Sequence, residues 1–217
     1  MRYKRKCKKS KLIKAIENQF MQNRKEYFIS FVVLIIGIIA GIILINSASD
    51  ETKKSVYGYI SEFVKSIKSS EYQIDGNKLL VKSIVSNIRI AIIIWIAGSS
   101  VIGIPIVYAT LAYKGLCIGY SISAIIATLD KTKGIVFALS TMLLQNIIAI
   151  PCILAISVSS IKMYKNIMKN RNSGDIKFEI YRHAVFSAIM CFGLIISSFI
   201  EVFVSTNITS NLISNFI

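Results

Sequence analysis

The sequence predicts an all-α fold, a polytopic integral membrane bundle of five transmembrane helices, and three observations support that class. Five apolar segments recur along the 217 residues. Hydrophobic residues make up 54% of the chain, above the ~45–50% apolar share of soluble domains, and the mean hydropathy is +0.61. Basic residues are concentrated in segments that fall on one side of a bilayer if the apolar segments alternate.

The net charge of +15 is explained by membrane orientation rather than by nucleic-acid binding. Residues 1–27 hold ten Lys/Arg against two Glu, residues 162–182 hold six Lys/Arg against two acidic residues, and Lys114 adds one more charge. The positive-inside rule places these segments in the cytoplasm, with the N-terminus inside and the C-terminus outside. We therefore predict a multi-pass protein of the cell membrane that contacts the lipid bilayer and no nucleic acid.

Residues 1–27 are a basic cytoplasmic arm, and a five-span membrane domain is predicted at 28–204. The first span, at 28–45, is about one hydrocarbon thickness long. It is interpreted as an uncleaved anchor, because the apolar run is too long for a signal peptide and no small-residue cleavage site follows it. Gly37 and Gly41 form a GxxxG pair, a spacing that lets another helix approach closely.

Residues 46–87 are predicted to form an outer loop that contains an amphipathic helix. Its apolar stripe consists of Val56, Tyr59, Ile60, Phe63, Val64 and Ile67. The protein's own spans, the lipid headgroup layer or a partner protein could cover this stripe. A turn signal at Asp75-Gly76-Asn77 precedes a second helix that leads into the next span.

Four more spans are predicted, at 88–112, 115–129, 135–161 and 184–204, with an inner loop at 162–182 and a short outer tail at 205–217. Pro105 is expected to kink the second span, and the charge of Lys114 to mark its end. The short third segment is interpreted as a true span, because a re-entrant segment would move the basic inner loop outside. Gly115 and Gly119 belong to a small-residue ridge typical of helix packing, and the fourth span is expected to tilt or bend at Pro151.

No catalytic residue, metal site or cofactor is predicted. The four cysteines are scattered, and the single histidine, His183, is assigned a structural role near the membrane interface. Arg89 and Glu201 are ionisable residues near the outer interface, and we expect them to pair as a structural clamp rather than to line an ion path. Gln145 and Asn146 are the candidate polar pair near mid-membrane, where they could hydrogen-bond neighbouring helices.

Ten residues across these spans form a recognisable set: Trp95, Gly98, Gly103, Pro105, Lys114, Gly115, Gly119, Gln145, Asn146 and Pro151. This set resembles the stage II sporulation protein M family of endospore-forming bacteria. The resemblance covers roughly 28–204, including the order of the spans and the single large outer loop. The wider family often has a His-Gly pair with a following Glu and Pro in the fourth span. This chain has Gln145, Asn146, Ala149 and Pro151 there, which argues against a proton-linked role.

The resemblance implies a non-enzymatic membrane scaffold of the mother cell. Such a scaffold would localise and anchor two peptidoglycan-degrading partners at the septal or engulfing membrane during endospore formation. The partners would be stage II sporulation proteins D and P, a lytic transglycosylase and an amidase/endopeptidase. Enzymes that cut the cell wall work outside the membrane, so the stripe of the outer loop is the candidate docking surface. The alternative function is a small transporter or channel subunit, with Pro105, Pro151 and the short third span forming broken helices around a midplane site.

Overall fold

A computed structural model describes residues 21, 23–68, 76–100, 102–129, 131–169 and 176–205, and these residues form helices with no β-strand. The helices are α1 Arg24–Asn46, α2 Asp50–Lys68, α3 Gly76–Ser99, α4 Gly103–Thr128, α5 Lys131–Lys169 and α6 Ile176–Ile200, followed by a π-helical turn at Glu201–Ser205. Five of them, α1, α3, α4, α5 and α6, are long and apolar enough to cross a membrane. The predicted all-α class with five spans is therefore confirmed, while the orientation of the bundle stays a prediction. Most of the basic arm and the tail after Ser205 lie outside the described residues.

The boundary between the second and third spans differs from the sequence prediction. The predicted spans 88–112 and 115–129 are wrong, because α3 ends at Ser99 and α4 begins at Gly103, and Lys114 lies inside α4. α3 starts at Gly76, so residues 76–87 of the predicted outer loop belong to a span. The third span is the full length of α4, 26 residues, and not a short segment.

The break between α3 and α4 follows from poor helix formers and a competing hydrogen bond. Glycine and serine, which occupy positions 98–100, have low helix propensity. The Ser100 hydroxyl and the Ser100 N–H both donate to the carbonyl of Ala97, at 3.0 and 3.1 Å. Pro105 then lies in the first turn of α4, where its missing N–H removes no helical hydrogen bond. The proline therefore sits near the start of a helix instead of kinking one.

α5 is the central helix of the bundle. It continues through Pro151 for 39 residues, contacts α1, α3, α4 and α6, and is buried at every position from 153 to 161. Its apolar part is Gln145–Met168. The predicted inner loop 162–182 is mostly helical, because residues 162–169 extend α5 and residues 176–182 belong to α6; residues 170–175 lie outside the described ranges.

Contacts between helices define two ends of the bundle. At the first, which we call the basic end, Lys165 of α5 forms an ion pair with Glu26 of α1 at 2.9 Å. At the second, the distal end, Gly76 at the start of α3 lies beside Val202 after α6. Since α2 connects α1 to α3, it lies at the distal end. The positive-inside rule predicts that the basic end faces the cytoplasm.

The most extensive contact among the described helices is between α1 and α4. Gly37 and Gly41 of α1 lie against the backbone of α4, and Gly115 and Gly119 of α4 lie against the backbone of α1. A Cβ atom at any of the four positions would overlap backbone atoms of the facing helix. Lipid is as apolar as leucine and gives helices little hydrophobic reason to associate, so such close packing is a main source of stability.

Candidate functional site

A polar network joins α3, α5 and the turn after α6 in the distal half of the bundle. The carboxylate of Glu201 accepts hydrogen bonds from the Ser83 hydroxyl and from Gln145 Nε2, the latter at 2.6 Å. The Ser197 hydroxyl donates to the backbone carbonyl of Gln145 at 2.8 Å. Polar groups without partners are costly in a bilayer, so these bonds both satisfy the groups and hold the three segments together.

A second layer of the same network lies one helical turn deeper. Asn87 of α3 is 2% exposed, and its Nδ2 donates to the hydroxyl of Ser198 at 3.0 Å. Ser198 in turn donates to the Leu194 carbonyl at 3.2 Å. Asn146 does not extend the network, because its Nδ2 donates to the carbonyl of Met142 in its own helix, at 2.8 Å.

Lys114 brings a positive charge to the middle of the membrane domain. It lies halfway along α4, and the adjacent Gly115 contacts Leu34 and Ile38 in the middle of α1. Lys114 is half-buried. The prediction that Lys114 marks a membrane interface is therefore wrong. Ionisable residues at this depth often mark functional sites.

The predicted ion pair between Arg89 and Glu201 is not formed by these two described side chains. Arg89 is exposed on α3, whereas the Glu201 carboxylate is held by Ser83 and Gln145. The Glu201 carboxylate binds Ser83 and Gln145 instead of Arg89 because these two neutral side chains lie on the faces of α3 and α5 that meet inside the bundle. Glu201 thus has the clamping position that the sequence suggests, with different partners.

A second polar site lies at the basic end, between α3, α5 and α6. His183 is 3% exposed, and its Nδ1 is 2.8 Å from the hydroxyl of Ser159. The imidazole stacks on Trp95, with ring centroids 6.3 Å apart and an interplanar angle of 7°. Next to it, the Ser160 hydroxyl donates to the Ile94 carbonyl. Gly98 makes this contact possible, because a Cβ there would overlap the Ser160 side chain.

The ten motif residues named above occupy three places in the structure. The turn between α3 and α4 is surrounded by Trp95, Gly98, Gly103 and Pro105. The middle of α4 contains Lys114, Gly115 and Gly119, and α5 contains Gln145, Asn146 and Pro151. Eight of these positions are buried or half-buried, while Pro105 and Pro151 are exposed. The motif therefore maps mainly onto helix contacts and onto the two polar sites.

Comparison with protein families assigns the chain. The sequence profile described as Stage II sporulation protein M matches residues 30–206, which include most of the first span and all of the other four. The chain belongs to the stage II sporulation protein M family. With five helices able to cross a membrane, it is a sporulation-related, multi-pass membrane protein. No curated protein and no solved structure matches the chain.

The helix outside the spans, α2, has the amphipathic character that the sequence predicts. It contacts α4, and Val56 and Ile60 are half-buried. Tyr59, on the same stripe, is 74% exposed. The side chains of Phe63, Val64 and Ile67 lie outside those that the structure describes. One part of the stripe thus packs on the protein itself, and the part at Tyr59 is open.

Sequence reasoning missed the serines and the asparagine that build the polar sites. Ser83 and Asn87 are four residues apart, in line with the buried residues Ala91 and Ile94 of α3. That spacing places them on one helix face, so the signal was present once the helix start at Gly76 was known. Their partners could not be found in this way, because Ser198 and Glu201 come from a distant part of the chain.

The chemistry available at these sites is that of hydrogen bonding and charge. Within the described ranges, no group of three or more His, Cys, Asp or Glu side chains is placed to hold a metal ion. In the distal network, the polar atoms described above are bonded to one another across helices. That arrangement suits a rigid frame.

Proposed function

We propose that the protein is a non-enzymatic membrane scaffold that anchors peptidoglycan-degrading enzymes during endospore formation. Its partners would be stage II sporulation proteins D and P, held at the septal or engulfing membrane of the mother cell. Membership of the stage II sporulation protein M family supports this role. So does a bundle in which glycine contacts and a cross-helix hydrogen-bond network favour rigidity.

The observation that carries the proposal is the surface of α2 at the distal end. Wall-cutting enzymes need a contact outside the membrane, and the positive-inside rule predicts that the distal end faces outward. Val56 and Ile60 fix α2 on the bundle, while Tyr59 remains largely exposed. Tyrosine is enriched at protein interfaces because it combines a large apolar ring with a polar tip. Tyr59 is therefore the residue that we assign to partner docking.

The test is co-purification from sporulating cells that carry tagged full-length variants. Tyr59→Asp is expected to leave the protein inserted and abundant, to abolish capture of proteins D and P, and to arrest engulfment. The matched control is Gly58→Asp, which adds the same charge next to Tyr59, at a position where an added Cβ meets nothing within 4 Å. This control should capture the partners normally. Ile60→Asp changes the inward part of the stripe and is expected to lower abundance as well.

Two results would contradict this assignment. If Tyr59→Asp is abundant and still captures both partners, docking lies elsewhere on the protein. If wild-type protein captures neither partner from cells in which engulfment proceeds, the scaffold function itself is wrong.

One observation favours a second function, that of a small transporter or channel subunit. Lys114 places a charge halfway across the bundle, and conducting proteins commonly hold charge at that depth. The scaffold proposal requires no such charge. Replacing Lys114 therefore separates the two functions.

A further inference from the structure

The basic end of the bundle contains a small cavity between α5 and α6. It is lined by Ser159, Lys162, Met163, Glu179, Arg182, His183 and Phe186. These residues stand near the end of the apolar part of α5, which finishes at Met168, and near the start of that of α6, which begins at Glu179. The cavity thus lies where a spanning helix passes from the hydrocarbon into the headgroup layer.

The cavity wall includes a buried polar atom that lacks a partner. His183 uses Nδ1 for the contact with Ser159, and its Nε2 is buried with no hydrogen-bond partner among the described residues. When the Ser159 hydroxyl donates to Nδ1, Nε2 carries the imidazole proton and needs an acceptor. A buried donor without an acceptor destabilises the folded protein. A ligand that supplies an acceptor oxygen would remove this destabilisation.

The charges of the lining favour an anionic acceptor. The lining contains the cations Lys162 and Arg182 and one carboxylate, that of Glu179, which forms an ion pair with Arg182 at 2.5 Å. The ion pair fixes the guanidinium at the cavity while leaving its other N–H groups available, since a guanidinium has five donors. Met163 and Phe186 give the same cavity an apolar part. A phosphate attached to an apolar tail matches both features.

We propose that this cavity binds the phosphate group of an anionic lipid at the basic end of the bundle. Basic pockets between transmembrane helices recognise lipid headgroups by the same combination of cations, donors and apolar wall. A soluble phosphate has the same oxygen chemistry but would leave the apolar part of the cavity unused. The inference does not depend on the scaffold function.

The experiment measures lipid binding to the purified full-length protein in neutral detergent by native mass spectrometry. Phosphatidylglycerol is titrated into wild type, Lys162→Gln, Arg182→Gln and the control Lys177→Gln. Lys177 is an exposed cation of α6 that does not line the cavity. Lys177→Gln therefore removes the same charge from the protein as the cavity variants do, without changing the cavity. Each cavity variant is expected to weaken binding about 10-fold, as for loss of a hydrogen bond to a charged group, and the control by less than about 2-fold.

Parallel titrations with phosphatidylcholine and with inorganic phosphate identify the ligand. The proposal is supported if wild type binds phosphatidylcholine and inorganic phosphate only weakly and if the two cavity variants bind phosphatidylglycerol about 10-fold more weakly than wild type. Equal affinity of all four proteins for phosphatidylglycerol, or equal affinity of wild type for the two lipids, overturns it. Saturable binding of inorganic phosphate without binding of phosphatidylglycerol overturns the lipid as the source of the phosphate.

Discussion

The contact between α1 and α4 can be tested by adding a single methyl group. In Gly119→Ala, the new Cβ would overlap the carbonyl oxygen of Ile38 and lie 2.8 Å from its carbonyl carbon and 3.0 Å from its Cα. Ordinary carbon contacts are about 3.5–4.0 Å, so the two helices must separate by at least about 0.7 Å. The opposing atoms are backbone, which cannot turn aside as a side chain can.

The expected loss of stability combines two opposing effects. Overpacking a close contact costs about 1–3 kcal/mol, and we take about 3 kcal/mol because backbone opposes backbone. Replacing glycine by alanine within a helix returns about 1 kcal/mol through helix propensity. The net loss is about 2 kcal/mol, which lowers the midpoint of thermal unfolding by about 4–8 °C in a protein of this size.

The assay is thermal unfolding of the purified protein in detergent, followed by the remaining monodisperse fraction. Gly58→Ala is the matched control, since a Cβ at Gly58 meets no atom within 4 Å; its midpoint should be unchanged or slightly raised. Gly119→Leu should lower cellular abundance as well. The double variant Gly37→Ala/Gly119→Ala should lose less than the sum of the single losses, because both methyl groups separate the same two helices. A midpoint for Gly119→Ala equal to that of Gly58→Ala would refute the reasoning.

Two further predictions concern the positions that the structure reassigns. In a background without the native cysteines, Ile102→Cys should react with a membrane-impermeant thiol reagent only after permeabilisation, and Gly58→Cys should react in intact cells. If Ile102→Cys is unreactive under both conditions, the predicted span 88–112 is restored. If Ile102→Cys reacts in intact cells, the orientation of the bundle is the inverse of the predicted one. Under the proposed scaffold function, Lys114→Gln should support partner capture and engulfment at the wild-type level, because that function needs no charge at mid-membrane. An abundant Lys114→Gln protein that captures the partners and still blocks sporulation would favour the transport function.

The sequence determines the fold class because the bilayer restricts the possible solutions. Apolar segments of spanning length must be helical there, since every backbone N–H and C=O must find a partner within the segment. The GxxxG spacings at Gly37/Gly41 and Gly115/Gly119 also mark helix faces suited to close approach, a property of each helix alone. The structure places these four glycines in one interface.

Charge by itself misplaced the turn between the second and third spans. Lys114 is charged and therefore looks like an interface residue, whereas the contacts of the adjacent Gly115 with Leu34 and Ile38 place it halfway along α4. The break between Ser99 and Gly103 depends on local hydrogen bonds and on Pro105 near the start of a helix. Hydropathy averages over such details, so it gives the number of spans more reliably than their ends.

The tertiary structure alone decided which polar residues meet. Ser83, Gln145 and Glu201 are separated by at least 56 residues along the chain, and no periodicity within one helix specifies a partner in another. The same holds for His183, whose place in the sequence suggests only an interface and whose neighbours are Trp95 and Ser159. Spacing along a helix selects the face that is buried, whereas the rotation and depth of each helix, set by packing against all the others, select the contacts made by that face.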